Sequence, residues 1–269
     1  FWGDATFAAM VDYYPGFTRL CTETRKGGHK ADRLAINKSC ACLYSNEWAA
    51  ASALRDYGAD PARVQVVPFG ANIDSSLTNA DLEAVLANRP TTRCNLLFLG
   101  ASWERKGGDT ALAVVEELNK AGLPTHLTII GAQPRAGLVL PRYATALGFI
   151  SKRTPQGMGK LVSLLAASHF LILPTRAECC AAVLAEASAW AVPSLVARTG
   201  GVGTAVRDGV NGQCFPADAT PSAYAEFVET CFRQYDRYRE LARSSLAEYY
   251  ERLNWTVAAR QVLALLREI

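Results

Sequence analysis

Three histidines and two methionines are all that the 269 residues carry of those types, and the eight cysteines include no CxxC pair. They stand as Cys40 and Cys42, as Cys179 and Cys180, and singly at Cys21, Cys94, Cys214 and Cys231, a spacing that fits neither a zinc site nor a disulfide framework. Reduced core thiols are expected. His29, His126 and His169 are equally scattered, so no metal site is expected. No window approaches the roughly 18 uninterrupted apolar residues of a membrane-spanning helix, and the first residues lack the order of a signal peptide. The expectation is a soluble cytoplasmic protein. No amphipathic basic helix is plain, and peripheral contact with the inner face of a membrane stays open. A charge excess is missing too: 28 Lys and Arg against 25 Asp and Glu argue against a nucleic-acid binder, so any anion site must be built locally. No GxGxxG follows a strand and no GxxxxGK[ST] occurs, which removes the dinucleotide fingerprint and the P-loop.

What is present is apolar surface, half of all residues, enough for a sizeable core. The opening "FWGDATFAAMVDYYPGF" is aromatic from its first residue, so further sequence is expected to precede Phe1. From Ala41 a strand "ACLYS", a helix opened by Asn46 and a strand "VQVVPFG" form a βαβ unit. Residues 71–93 are polar around one short helix ending before Pro90, as an interdomain linker would be. Near-continuous apolar strands then alternate with helices: "CNLLFLG", "HLTIIG", a short strand at "LGFI", "HFLILP", "SLVA" and "QCF". Such strands belong to a parallel sheet buried on both faces, so the fold class is α/β and doubly wound. The tail from Thr220 is helical, broken near Gln234 and Asn254.

In such a sheet ligands bind beyond the carboxyl ends of the strands. After "LLFLG" come Arg105 and Lys106, just before a helix that Gly107 and Gly108 help to begin; two cations there suit a diphosphate, or simply a solvated helix start. After "HFLILP", Glu178 falls in the strand-to-helix turn and Glu186 about two turns into an oily helix. A buried acid needs hydrogen-bond donors, and vicinal sugar hydroxyls supply them as readily as an ion pair. In "RTGGVG" the amides of Gly200 to Thr204 are expected to form an anion-binding nest, or a tight turn.

Together "VQVVPFGAN", "LLFLGASWERKGGD" and the E-x7-E stretch "PTRAECCAAVLAEASAWAVPSLVARTGGVGTAVRDGVNG" resemble the retaining glycosyltransferases of family 4, the group 1 glycosyl transferases. The resemblance implies the GT-B architecture: residues 1–75 as the last part of an N-terminal, acceptor-side Rossmann-like domain, 76–92 as linker, 93–250 as a complete donor-binding Rossmann-like domain, and 251–269 as a helix returning to the first domain. It implies transfer of a sugar from a UDP- or GDP-linked donor to a glycan, lipid-linked or small-molecule acceptor, with retention of configuration and without cofactor or metal. Lys106 and Arg105 would stabilise the leaving diphosphate, Glu178 would hold donor-sugar hydroxyls, and Glu186 the ribose. Gly100, Gly200, Gly201 and Val202 would line the donor loops, Phe149 and Ile150 would border the base, and Asp4 would occupy a position facing donor sugar and acceptor, unless it caps the following helix. The family usually follows its first glutamate with a large residue and a glycine. Here Cys179, Cys180 and Ala181 stand there, and the Ala181 β-carbon is expected to narrow the phosphate approach. The alternatives are an incomplete or inactive nucleotide-sugar-binding relative, and a nucleotide-sugar epimerase or phosphorolytic enzyme on the same plan. A NAD-dependent oxidoreductase lacks its fingerprint.

Overall fold

The computed structural model describes residues 1–268 and contains two parallel sheets. The smaller is built from β1 (Trp2–Gly3), β2 (Cys42–Tyr44) and β3 (Val64–Val66) in the order β1-β2-β3. Between β1 and β2 run the single turn α1 (Phe7–Met10) and the long α2 (Thr22–Lys38); α3 (Glu47–Tyr57) joins β2 to β3. Asn46 caps α3 by accepting from Ala49 N at 2.8 Å, and Gly58 ends it in the left-handed conformation, as an N-cap and C-cap pair should. α1 starts differently from expectation. Thr6, not Asp4, is its cap, with Oγ1 accepting from Ala9 N.

α2 also departs from expectation, because it presents Arg25, Lys26, Lys30 and Arg33 beside His29 along a groove. A basic helix face is thus present that the sequence does not advertise. Only Ile36 of α2 is buried, so the helix has almost no apolar stripe to reveal it.

After β3 the chain forms α4 (Asn79–Asn88), opened by a capping box between Thr78 and Asp81. Its Leu82 and Leu86 are buried in the main core. Arg89 follows at 2 % exposure and donates to the carbonyls of Ala166, Trp190 and Ala191 and to the Tyr238 hydroxyl. One cation thereby satisfies carbonyls at the C-terminal ends of two helices, where the helix dipole favours positive charge.

The larger sheet contains β4 (Cys94–Gly100), β5 (Thr125–Gly131), β6 (Ala144–Ala146), β7 (Phe170–Leu173), β8 (Ser194–Ala197) and β9 (Gly212–Phe215), ordered β6-β5-β4-β7-β8-β9. Its helices are α5 (Trp103–Lys106), α6 (Gly108–Lys120), α7 (Pro155–Ala167), α8 (Ala182–Ser188) and α9 (Val202–Ala205). The central strands bury Leu96, Leu97, Phe98, Leu127, Ile129, Phe170, Leu171 and Ile172 completely, which requires helices on both faces. The strand expected at "LGFI" lies earlier, at Ala144–Ala146, where Leu127 to Ile129 provide the pairing edge. The strand order reverses between β4 and β7, so their loops diverge and leave a crevice.

Three helices complete the chain: α10 (Pro221–Arg233), α11 (Tyr235–Arg252) and α12 (Trp255–Arg267). α12 returns to the small sheet. Its Ala258 packs with Leu43 and Val67, Val262 and Leu265 pack against the same cluster, and Trp255 meets the Trp2 ring. Among the described residues no helix is long and apolar enough to cross a membrane. Of the cysteines, Cys42, Cys94, Cys179, Cys214 and Cys231 are buried and all eight are free thiols. Cys21 and Cys40 are exposed, so they are not core residues; Cys21 precedes α2 and Cys40 precedes β2.

Candidate functional site

The crevice at the β4–β7 switch point gathers the charged residues. Ser102 caps α5, which places Arg105 and Lys106 inside a helical turn of their own rather than in a loop before α6. Gly107, at φ +79°, ends that turn and starts the next helix; a β-carbon there would collide with the Pro174 carbonyl, so only glycine lets the two loops touch. The contact is then zipped by hydrogen bonds. Arg176 N and Thr175 Oγ1 both donate to the Arg105 carbonyl, at 2.8 and 3.0 Å, and Arg105 Nη1 donates to the Ala177 carbonyl at 2.8 Å.

This brings Lys106 against Glu178 in an ion pair in which both side chains are largely buried, with Arg105 Nη1 3.4 Å from the same carboxylate oxygen. The Lys106 stem lies on Gly100, where a β-carbon would stand 2.9 Å from Lys106 Cγ. Burial lowers the Lys106 ammonium from its ordinary value, and the Glu178 charge opposes that shift. Arg105 also covers the Tyr14 ring at 5.2 Å.

Two residues that the sequence reading passed over complete this end. Glu178 N donates to Tyr13 Oη at 2.9 Å and Cys179 N to Tyr14 Oη at 3.1 Å, so the first amides before α8 are held by tyrosines from the small-sheet unit. Tyr14 Oη in turn donates to Glu178 Oε1 at 3.4 Å. Burial raises both phenols above their ordinary value and keeps them protonated. Their only sequence signal is the doublet itself, directly after an apolar turn.

Glu186 is the fifth residue of α8, little more than one turn in rather than two, because α8 begins at Ala182. Its side chain is fully buried. Lys152, a third exposed, donates to Oε1, while Oε2 is buried with no partner. Lys152 was not among the expected residues; its signal is the "SKR" cluster following a strand. Of its neighbours in that loop, Phe149 stands 84 % exposed and Ile150 packs partly on the main core.

The Gly200–Gly201 turn lies across residues 178 and 179. A β-carbon on Gly200, at φ +51°, would strike the Glu178 carbonyl, and one on Gly201 the Cys179 carbonyl. Of the amides expected to form an anion nest three are taken: Gly201 N donates across to the Glu178 carbonyl, Val202 N to Thr199 and Thr204 N to Gly201. Val202 itself is buried in the main core. Ala181 is buried too, at φ −90°, so its β-carbon packs in the core and does not narrow the crevice. Cys179 and Cys180 form the wall instead, and burial raises their thiols to about 12 and about 11.

Asp4 is exposed at the end of β1, its carbonyl held by Asn46 Nδ2 at 2.8 Å. It shares a cavity of about 400 Å³ with Glu178 and Cys180. A second cavity, of about 620 Å³, lies on the other side of Tyr14 and is lined by Ser102, Glu104, Arg105 and Arg176.

Comparison with known proteins decides the family. The family model described as "Glycosyl transferases group 1" matches residues 93–234, more than half of the chain. The chain belongs to the group 1 glycosyl transferases. As a member of that family it is 28 % identical over 233 residues to a D-inositol 3-phosphate glycosyltransferase of Rhodococcus erythropolis, covering 82 % of this chain and 52 % of the relative. With the same-named protein of Acidothermus cellulolyticus it shares 29 % over 245 residues, 84 % of this chain and 53 % of that one. This group 1 chain therefore spans about half the length of the curated relatives it matches. Its fold is of the GT-B type. The structure of Anabaena HepE in complex with UDP superposes with a TM-score of 0.69 at 17 % identity, covering 93 % of this chain and 69 % of that one. Sucrose-phosphate synthase from Thermosynechococcus elongatus gives 0.68 at 19 %, covering 92 % and 63 %.

Proposed function

We propose that this chain carries the donor site of a retaining, metal-independent glycosyltransferase that moves a sugar from a UDP- or GDP-linked donor to an acceptor hydroxyl. The observation that carries the reading is Glu186: a fully buried carboxylate on α8, the helix that follows β7, with one oxygen on Lys152 and the other without a partner. An unsatisfied buried acceptor is costly unless a ligand completes it, and a ribose diol would do so. The UDP in the HepE complex and the glycosyltransferase names of the relatives support the same donor class.

In the proposed reaction the bond between the anomeric carbon and the diphosphate oxygen breaks, and its electron pair leaves on the diphosphate. The acceptor oxygen bonds to the same face of that carbon, and its proton passes to the departing diphosphate. Lys106 and Arg105 would offset the charge that grows there, the moment at which preorganised cations matter most. Glu178 would hold sugar hydroxyls, and its ion pair with Lys106 keeps the two side chains aligned before the donor arrives. Asp4 would face the reacting hydroxyl from the small-sheet side.

A second reading, a relative that binds nucleotide without transferring sugar, is favoured by two contacts: Tyr13 and Tyr14 hold the amides of Glu178 and Cys179. Calorimetric titration of the chain and of Glu186→Ala with UDP, GDP, ADP and NAD separates the cases. Selective binding of UDP or GDP, lost in the variant, supports the donor site, and NMR analysis of the product's anomeric configuration then tests transfer. Binding that Glu186→Ala leaves intact would remove the ribose role.

A further inference from the structure

Near the end of α11, Glu248 and Arg252 stand one turn apart and form an ion pair in which both side chains are largely buried. Both Glu248 oxygens are taken, Oε1 by Arg207 Nη1 at 3.1 Å and Oε2 by Arg252 Nε. Taking two charges out of water costs about as much as their attraction returns, so a buried pair adds little stability and its effect is the geometry it imposes. The geometry imposed here is that of α9. Arg252 Nη1 donates to the Thr204 carbonyl at 2.6 Å and Nη2 to the Ala205 carbonyl at 3.2 Å, which satisfies the C-terminal end of that short helix.

The other end of the same segment lies on the candidate site. Gly201 N donates to the Glu178 carbonyl at 3.1 Å, and Thr199 Oγ1 lies 2.8 Å from Tyr13 Oη, which donates to that carbonyl too. Residues 199–205 thus run from Glu178 to Arg252. The segment is also fixed from the small-sheet side. Thr204 Oγ1 accepts from Glu47 N, at the first residue of α3, at 2.9 Å. The buried Asn46 side chain lies against Gly201, where a β-carbon would stand 2.5 Å from Asn46 Cγ. Arg252 ends α11 next to Leu253, whose carbonyl accepts from Ala71 N at 3.0 Å where the two connections between the sheets meet.

We infer that Arg252, held by Glu248, is a positioning residue of the donor site: it anchors residues 199–205 so that Glu178 stays aligned with Lys106 and Arg105, where the terminal phosphate and the sugar would lie. The inference rests on the donor reading for its ligand. It also divides the donor in two. The ribose would be held by Glu186, whose partner is Lys152, so loss of the anchor acts on the diphosphate end and spares the nucleoside end.

The test compares the full chain with the double variant Glu248→Leu/Arg252→Met and with Thr204→Val. Removing both charges leaves no buried ion unpaired, so the double variant is expected to unfold in urea at nearly the wild-type midpoint. Calorimetry with UDP and UMP, and with GDP and GMP, should show the diphosphate weakened about tenfold, the worth of one net hydrogen bond, and the monophosphate changed less than about twofold. Amide exchange followed by NMR should quicken at Gly201, Thr204 and Val206 and stay at the wild-type rate at Leu97 and Leu171. Thr204→Val, which keeps the ion pair, should weaken the diphosphate about threefold. Equal weakening of both nucleotides overturns the inference. So does unchanged diphosphate affinity, or exchange that is unchanged in the loop or faster everywhere. If the double variant fails to fold, Thr204→Val decides: selective loss of diphosphate upholds the anchor, and unchanged affinity overturns it. A wild-type chain that binds none of the four nucleotides removes the donor reading, and the exchange rates then decide alone whether Arg252 holds the loop.

Discussion

Replacing Glu186 by glutamine separates a ligand-binding carboxylate from a structural one, because the two roles move stability and affinity in opposite ways. In the free protein Oε2 is buried without a partner, a condition that costs about 1–3 kcal/mol for a polar atom. Glutamine keeps the shape and removes the charge. Lys152, whose side chain is one-third exposed, can then turn to water. Urea unfolding of Glu186→Gln should therefore show stability unchanged or raised by about 1 kcal/mol, as at other sites where function is bought with strain. Nucleotide affinity should fall instead. A hydrogen bond to a charged group contributes about 1.5–3 kcal/mol, so one weakened ribose contact raises Kd about 10- to 160-fold in calorimetry with UDP or GDP. Unchanged Kd would refute the reasoning. So would a loss of several kcal/mol of stability, which would make the Lys152 pair a structural one.

His169 supplies a pH prediction. It is fully buried, Nδ1 accepts from Asn95 N at 3.0 Å, and burial with the nearby Arg89 lowers it from the ordinary 6.5 to about 3. Between those values the unfolded chain binds the extra proton, so stability falls as pH drops below 6.5, by up to about 1.4 kcal/mol per pH unit, and His169→Gln should flatten that slope in acid titrations of urea unfolding. Arg89→Met leaves three carbonyls and a phenol without their donor, and thermal or urea unfolding should show a loss of about 3 kcal/mol or more. Gly200→Ala, forced to positive φ against the Glu178 carbonyl, should cost at least about 1 kcal/mol and displace Glu178, detectable as weaker UDP binding.

The large sheet was legible because its strands are buried on both faces and read as continuous apolar runs; "CNLLFLG" and "HFLILP" stand out without help from neighbours. Lys106, Glu178 and the glycines beside them were legible by position, since each follows a strand. Other parts depended on tertiary contacts that local pattern cannot show. α2 is polar along nearly its whole length and interrupted by Gly27 and Gly28, whose reason, at Gly28, is a ring from another element. Tyr13 and Tyr14 read as ordinary aromatics until the fold brings them 165 positions along the chain to the amides of Glu178 and Cys179. The amides of Gly201, Val202 and Thr204 looked free because hydrogen bonds inside a turn, or to a loop that the fold brings up, are invisible in its composition.

The return of α12 also sets an order of assembly. Leu43 and Val67 lie under Ala258, about 190 or more positions later in the chain, whereas the β4–β5 and β7–β8 pairings join segments separated by one or two helices. Nearby pairings close quickly and distant ones slowly. During synthesis the small sheet must therefore wait, one apolar face uncovered, until α12 has emerged, while the large sheet can already condense. Of the two sheets, the one synthesised earlier is the one finished later.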